Sequence, residues 1–257
     1  MDPQTLHLLC DPETHVPLEL SGDSLMNSES GRRYPIRDGI PVFLQEVTGP
    51  NRKYQAMYDR LAPGYDIAER LYYWVTRKPN YRLEYIHEME MAAGARVLEV
   101  SVGTGGNLGY LRPDIEFLGL DLSWHVASMP PQREALAAQC PTFPGRSRAT
   151  AVPRRNLRLR FSRRRHQLLQ FSDKARAIAE MVRVAKPGTK IVIVDETEKV
   201  VSEMYLKIPV TRSYFADRDE AVSCPIDLVP GEMGEIRARQ FGDGKLYCLT
   251  FRKPAYQ

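Results

Sequence analysis

The chain has 257 residues, of which 43% are hydrophobic and 26% charged, so it can bury the core of one large α/β domain with a small appendage. No apolar run approaches the roughly 18 residues of a membrane helix, and residues 1–4 lack the basic region of a signal peptide. Four well-separated cysteines form no Cys-x-x-Cys pair. We therefore expect no membrane span, reduced thiols and a cytoplasmic location.

The net charge of +4 is unevenly distributed along the chain. Residues 125–170 contain ten arginines, five prolines, one acid (Glu134) and no lysine, which gives this segment a charge of +9. The remaining residues are acidic, with a net charge of −5. The composition therefore indicates a basic insert within an acidic protein.

Residues 1–48 are predicted to form a small β-rich unit in front of a larger domain at 49–257. Short strands are expected at 17–20 and 33–44, with a tight turn at 27–31 where Ser, Asn and Gly are frequent.

Residues 53–92 have a helical pattern and carry two Tyr-Asp pairs, Tyr58-Asp59 and Tyr65-Asp66. The tyrosines are predicted either to cover a bound ligand or simply to pack against the sheet, and Tyr65 is the better candidate for a lid.

An apolar run rich in β-branched residues, 96–100, stops abruptly at a glycine-rich turn. This pattern predicts a buried parallel strand followed by a helix whose first N–H groups are unpaired. The glycines let a ligand approach the backbone closely, and a polar or anionic group could bind the helix start. The third glycine of a dinucleotide-binding G-x-G-x-x-G turn is missing, because Leu108 occupies that position.

Two acids accompany this turn. Glu99 stands at the carboxyl end of the first predicted strand, where a carboxylate would repel a pyrophosphate but suits a cationic ligand. A second apolar run, 117–121, ends in Asp121, which could bind ribose hydroxyls.

The remaining elements follow the basic segment. A helix is expected to end at the R-V-A-K-P-G run of 183–188, and residues 189–195 read as a buried strand. Residues 235–239 and 246–251 are predicted to form an antiparallel pair around the turn 242–244.

The motif V-L-E-x-x-x-G-x-G-G at 97–106, with Asp121 after the next strand and the run at 183–188, resembles the class I S-adenosylmethionine-dependent methyltransferases. The Tyr-Asp pairs are similar to those of the ubiquinone/menaquinone-biosynthesis type (methyltransferase type 11). The resemblance implies an α/β, Rossmann-like sheet with helices on both faces, S-adenosylmethionine as cofactor and a small-molecule methyl acceptor.

The resemblance also implies a set of cofactor-binding residues. Glu99 would face the cofactor's amino group, Asp121 the ribose hydroxyls and Leu122 the adenine. No catalytic base is identified, because His125 and His166 lie at or within the basic segment. The expected cofactor-binding residues are Glu99, Ser101, Gly103, Thr104, Gly105, Asp121, Leu122 and Tyr65.

Residues 34–41, Y-P-I-x-D-G-I-P, are similar to the small zinc-ribbon-like modules that accompany some methyltransferases as fused domains or activator subunits. Such modules often bind Zn²⁺ through paired cysteines. Only Cys10 stands near the expected place, so tetrahedral ligation is not available. We expect a metal-free unit whose apolar residues pack on the main domain.

The basic segment does not fit the family that the motifs suggest. The fourth strand of the sheet should be apolar, yet the best candidate is 157–161, L-R-L-R-F, which would bury two arginines at the centre at a cost of several kcal/mol. Codons can be chosen for 156–170 so that the frame one base later encodes TFDFVFHVGGINFF, a phrase typical of such a strand. Our hypothesis is that residues 125–170 are translated out of frame between two compensating indels.

Alternatives to this hypothesis stay open. The arginines could bind nucleic acid or an anionic membrane, although no interleaved aromatic residues are present to stack on bases. The segment could also be a solvated, disordered loop. The sequence thus leaves three possibilities: an active methyltransferase, a damaged product of a methyltransferase gene, and a nucleic-acid-binding protein.

Overall fold

The structure of the chain is a computed structural model. It describes residues 3–43, 64, 67, 71, 73–77, 80–121, 137–139, 158–161, 171–216 and 222–255, and the strands at 137–139 and 158–161 are described by their backbone. Both Tyr-Asp pairs, Leu122, and the boundary predicted at 48/49 lie outside the described residues. That boundary stays a prediction.

The N-terminal unit is a four-stranded antiparallel sheet preceded by one helical turn, α1 (Pro3–Leu6). Its strands follow each other in the order β1 (Leu18–Ser21), β2 (Ser24–Asn27), β3 (Arg33–Arg37) and β4 (Ile40–Pro41). The predicted turn at 27–31 is confirmed, because the Asn27 side chain accepts the N–H groups of Glu29 and Ser30. The short strand β2 was not predicted.

In the described residues the main sheet consists of seven strands: β5 (Arg96–Val100), β6 (Glu116–Asp121), β7 (Ala137–Gln139), β8 (Arg158–Phe161), β9 (Lys190–Glu196), β10 (Gly234–Phe241) and β11 (Leu246–Arg252). Their order across the sheet is β10-β11-β9-β8-β5-β6-β7. Strands β5 to β9 are parallel, and β11 runs antiparallel to β9 and to β10. The predicted closing pair is confirmed, with a first strand longer than expected.

Short helices surround this sheet in the described part of the chain. The longest is α3 (Phe171–Val184), whose amphipathic pattern buries Ile178 and Met181 and which is followed by a turn in which Gly188 has a φ of +75°. Further helical segments are α2 (Arg82–Ile86), which continues as a 3₁₀ turn (His87–Met89), α4 (Glu198–Val200), which continues as a π-helical turn (Val201–Tyr205), α5 (Pro209–Phe215), and 3₁₀ turns at Leu108–Tyr110 and Ile226–Leu228.

The two faces of the sheet are buried against different helices. Alternate residues of a strand point to opposite faces, so Val97 and Leu98 of β5 belong to different hydrophobic clusters. The cluster of Val97 includes Tyr85 of α2, and that of Leu98 includes Ile178 of α3. Helices therefore cover both faces.

The N-terminal unit shares a hydrophobic core with the main sheet. Leu25, Tyr34 and Phe43 belong to the same buried cluster as Leu98 and Leu120 of β5 and β6, and β4 lies against β7. The expectation that the apolar residues of this unit pack on the main domain is confirmed.

Strand β8 occupies the central position predicted for residues 157–161. It pairs in parallel with β5 on one side and β9 on the other. The neighbouring residues of β5 and β9 are buried from both sides of the sheet: Val97, Val192 and Ile193 are 0% exposed and Leu98 1%. Two arginines of the sequence therefore fall in a strand whose paired neighbours on β5 and β9 are all buried.

Candidate functional site: a glycine turn between two strand ends

The glycine-rich turn after β5 is held in a left-handed backbone conformation. Ser101, Gly103 and Gly105 have φ values of +59°, +60° and +70°. Glycine adopts this region freely, whereas Ser101 is strained there. The Val102 N–H donates to the Leu120 carbonyl of β6 at 3.1 Å, which ties the start of the turn to the neighbouring strand.

The turn leads into a single 3₁₀ turn rather than the helix that the sequence predicted. The Leu108 N–H donates to the Gly105 carbonyl at 2.8 Å, and the helical segment stops at Tyr110. A segment this short has no appreciable dipole. The prediction of a helix after the turn, with unpaired N–H groups at its start, was therefore wrong.

Asp121 closes the turn from the second strand. It ends β6 with 1% of its surface exposed, and its Oδ2 accepts the Gly103 N–H at 2.9 Å. Because β5 and β6 are parallel neighbours, their carboxyl ends lie at the same edge of the sheet. The two predicted acids thus stand on either side of the glycine turn.

Glu99 is the other of these acids, and it is buried with only 1% exposure. Its Oε1 accepts a hydrogen bond from the Asn107 Nδ2. The Oδ1 of Asn107 in turn accepts from Arg82 Nη1 at 3.0 Å and from the Tyr85 hydroxyl at 2.7 Å. Sequence reasoning missed Arg82, Tyr85 and Asn107.

A signal existed for one of these three missed residues. Asn107 directly follows the glycine pair, where a polar side chain within reach of the turn is expected to cap or orient backbone and acids. Arg82 and Tyr85 gave no signal, because both lie on an ordinary helical stretch and reach Asn107 only through the tertiary fold.

The described part of the predicted site comes together in space. Thr104 is half-buried on the turn, and Ser101 Oγ is buried without a hydrogen-bond partner among the described residues. Leu122 and Tyr65 lie outside the described residues. The structure brings Glu99, Ser101, Gly103, Thr104, Gly105 and Asp121 to one edge of the sheet.

A cavity of about 500 Å³ opens at the same edge of the sheet, after β9. Burial raises the pKa of the Cys224 thiol to about 11. Burial also raises the pKa of Tyr247 well above its usual value, and the Asp195 carboxylate adds to this shift. The cavity is lined by Thr197, Glu198, Lys199, Val222, Ser223, Cys224, Gln240, Gly244 and Tyr247.

The N-terminal unit is organised around a buried carboxylate. Asp11 is 0% exposed and accepts hydrogen bonds from Asn27 Nδ2 and the Tyr34 hydroxyl, both at 2.9 Å. Burial alone would raise the pKa of Asp11, but these bonds and two from the backbone outweigh it and lower the pKa. Among the described residues, no three His, Cys, Asp or Glu side chains are grouped to hold a metal ion.

Comparisons with known proteins find different relatives for the two parts of the chain. No family model matches it. It is 25% identical over 160 residues to the ubiquinone/menaquinone biosynthesis C-methyltransferase of Geotalea daltonii, covering 58% of this chain and 66% of that protein, just under two thirds of its length. It is 26% identical over 168 residues to the demethylmenaquinone methyltransferase of Lactiplantibacillus plantarum, covering 63% of this chain and 68% of that protein.

The N-terminal segment has a different relative. It is 51% identical over 47 residues to a UPF0434 protein of Pseudomonas paraeruginosa, covering 18% of this chain and 77% of that protein. The described helices include none long and apolar enough to cross a bilayer, and the cytoplasmic location stays a prediction.

Solved structures agree on the fold. A S-adenosylmethionine-dependent methyltransferase of Thermotoga maritima, described as a possible histamine N-methyltransferase, superposes with a TM-score of 0.57 at 14% identity, covering 77% of this chain and 99% of that one. At this identity the likeness shows the fold alone. The chain is therefore a distant relative of the class I S-adenosylmethionine-dependent methyltransferases of the ubiquinone/menaquinone type, and its N-terminal segment belongs to the small, zinc-ribbon-like UPF0434 family.

Proposed function

We propose that the chain is a S-adenosylmethionine-dependent methyltransferase that acts on a small-molecule acceptor. One observation carries this proposal: Glu99 and Asp121 end neighbouring parallel strands and flank a glycine turn whose Gly103 N–H is bonded to Asp121. Ligands of open parallel sheets bind at this edge. The distant methyltransferase relatives support the same cofactor.

The residues of the turn fit such a cofactor. A Cβ built on Gly103 would meet nothing within 4 Å, so a ligand can approach this backbone closely. The buried Ser101 Oγ lacks a hydrogen-bond partner among the described residues, and a polar atom of a ligand would satisfy it.

S-adenosylmethionine supplies an electrophilic methyl group on a sulfonium. In this proposal Glu99 faces the cofactor's ammonium group and Asp121 binds the ribose hydroxyls. Gly103, Thr104 and Gly105 line the methionine and ribose portions, while Leu122 lies beside adenine and Tyr65 belongs to a lid. Transfer needs in-line placement more than acid–base groups, so the chain contributes proximity and exclusion of water.

We assign the acceptor to the cavity beyond β9. Strand β9 is two positions from β5 in the sheet, which at ~4.8 Å per strand is roughly 10 Å from the glycine turn. A small molecule seated between Lys199 and Tyr247 at this edge would lie within reach of a methyl group held over β5.

Calorimetry of the full chain with S-adenosylmethionine tests the proposal. We expect measurable binding by the unaltered chain and binding at least tenfold weaker in Asp121→Ala. The substitution removes the hydrogen bonds of the carboxylate to the ribose hydroxyls and also its bond to the Gly103 N–H. The matched control is Asp114→Ala, an exposed acid just before β6. Absence of binding by the unaltered chain, or equal effects of the two substitutions, contradicts the proposal.

A second candidate follows from the position of β8. This strand carries two arginines in its sequence, yet the residues of β5 and β9 that pair with it are all buried, with exposures of 0–7%. Burying two charges there would cost several kcal/mol unless they were fully compensated. The alternative is therefore a catalytically impaired product of a methyltransferase gene, with 125–170 translated out of frame.

The coding DNA and the protein together test this second candidate. We expect an apolar strand in the alternative frame of 125–170, protease cleavage between residues 126 and 170, and no binding of S-adenosylmethionine until the frame is restored. An alternative frame without such a strand ends the hypothesis. Salt-dependent retention by DNA or RNA, lost when Arg163, Arg164 and Arg165 are replaced, would instead support nucleic-acid binding.

A further inference from the structure

A chain of buried polar side chains lies beneath the glycine turn, and the roles proposed above do not use most of it. Arg82 and Tyr85 of α2 donate to Asn107 Oδ1 at 3.0 and 2.7 Å, and Asn107 Nδ2 donates to Glu99 Oε1. Arg82 is 7% exposed and the other three are each 1% exposed. We refer to Arg82, Tyr85, Asn107 and Glu99 as the relay.

The hydrogen bonds of the relay run in a fixed direction, because some of its groups can only donate and others can only accept. A guanidinium has only donors, so Arg82 requires the oxygen of the Asn107 amide to face α2. The NH₂ group of the same amide must then face Glu99, where it needs an acceptor. The hydroxyl of Tyr85 could donate or accept, so Arg82 decides the orientation of the amide.

Arg82 also contacts the turn directly. A Cβ built on Gly106 would lie 3.0 Å from Arg82 Nη2 and 3.1 Å from its Cζ, so the guanidinium rests against the backbone of this glycine. The conformation of the turn and the direction of the Glu99 carboxylate therefore depend on the same side chain of α2.

We propose that Arg82 is a positioning residue for the methionine end of the cofactor, acting through Asn107 on Glu99. This inference rests on the proposed function. At the ribose end, Asp121 accepts a hydrogen bond from the Gly103 N–H. In this proposal the two ends of the ligand are held by different side chains, Glu99 at the methionine end and Asp121 at the ribose end.

The test compares two ligands by calorimetry of the full chain. S-adenosylmethionine has the ammonium that Glu99 would face, whereas 5′-methylthioadenosine keeps ribose and adenine without the amino-acid part. Arg82→Met is expected to weaken binding of the first roughly tenfold and to leave the second within about twofold. Arg82→Lys retains a cation with donors only and should restore part of the loss.

Asp121→Asn is the matched control, because it acts at the ribose end and should weaken the binding of both ligands. An unaltered chain that binds neither ligand ends the proposed function and the relay together. Suppose that the unaltered chain binds both ligands. If Arg82→Met then changes both affinities by the same factor, or changes neither affinity, the positioning role of Arg82 is refuted and the proposed function is not. If Arg82→Met does not fold by circular dichroism, Tyr85→Phe decides: roughly threefold weaker binding of S-adenosylmethionine alone supports the relay, and unchanged binding refutes it.

Discussion

At the scale of single residues, the glycine turn has two features that lower stability. Ser101 occupies a left-handed conformation at a φ of +59°, and its buried hydroxyl has no hydrogen-bond partner among the described residues. Both features cost free energy in the empty protein. Strain and unsatisfied groups of this kind concentrate at functional sites.

Ser101→Ala should therefore change stability and binding in opposite directions. Removing the buried hydroxyl should raise the free energy of unfolding of the empty protein by about 1 kcal/mol and weaken the binding of S-adenosylmethionine. Urea unfolding and calorimetry measure the two quantities. Lower stability of the empty protein together with unchanged affinity would show that the hydroxyl is satisfied within the protein.

Gly106→Ala is the second prediction at this scale. The new methyl group would press on the Arg82 guanidinium, which is buried and bonded to Asn107 and so cannot move away without cost. We expect a loss of about 1–3 kcal/mol in the free energy of unfolding. Gly109→Ala is the control, because a Cβ there meets nothing within 4 Å, and an equal loss in both variants would exclude contact with Arg82 as the cause.

At the scale of elements, ion pairs connect the segment after α2 to the amino end of β9. Lys190 Nζ lies 2.9 Å from Glu88 and 3.1 Å from Glu90, and Arg252 of β11 lies 2.8 Å from Glu90. The Lys190 bond lowers the pKa of Glu88, and the Arg252 bond lowers the pKa of Glu90, in both cases against an opposing effect of burial.

These shifts predict how stability depends on pH. A carboxyl group whose pKa is lower in the folded state stabilises the protein fully at pH values above its pKa in the unfolded state, here 4.5. This contribution is lost as the pH falls through the pKa of the folded state. The double variant Glu88→Gln/Glu90→Gln should therefore lose about 1 kcal/mol at pH 7 and lose less stability than the unaltered chain between pH 5 and 3. The exposed Glu232→Gln serves as control, and identical pH profiles for all three proteins would contradict the prediction.

At the scale of elements, the sequence pattern predicted much of the fold but less of the site. The strands β5, β6, β9 and the β10–β11 pair were predictable, because each is a continuous apolar run or an alternating pair bounded by turn residues. The two acids and the glycines were predictable because they stand at strand ends. The 3₁₀ turn after the glycines and the contacts of Arg82 depend on long-range packing, which short-range pattern does not record.

At the scale of the whole molecule, the N-terminal unit and the main sheet share one hydrophobic core. The centre of the unit is Asp11, where a buried carboxylate accepts bonds from Asn27 and Tyr34. Hydrogen bonds thus hold together strands that paired cysteines and a metal ion would hold in a zinc ribbon. That the unit is free of metal stays a prediction.

Asp11→Ala should destabilise the entire chain. It would leave the donors of Asn27 and Tyr34 buried without their acceptor, at a cost of about 2–3 kcal/mol. Because the core is shared, we expect a single unfolding transition by calorimetry, at a lower temperature than in the unaltered chain, and no effect of EDTA on either protein. The exposed Asp23→Ala is the control; separate melting of the unit, or sensitivity to EDTA, would contradict this prediction.

The shared core also limits how such a chain can have arisen. Two folded units joined only by a linker would each keep their own water-covered surface, whereas here Leu25 and Phe43 are buried in one cluster with Leu98 and Leu120. A relative without the first 43 residues must cover that apolar side with other residues. We therefore expect gain or loss of the small unit to require compensating substitutions on the side of the main sheet that Leu98 and Leu120 line.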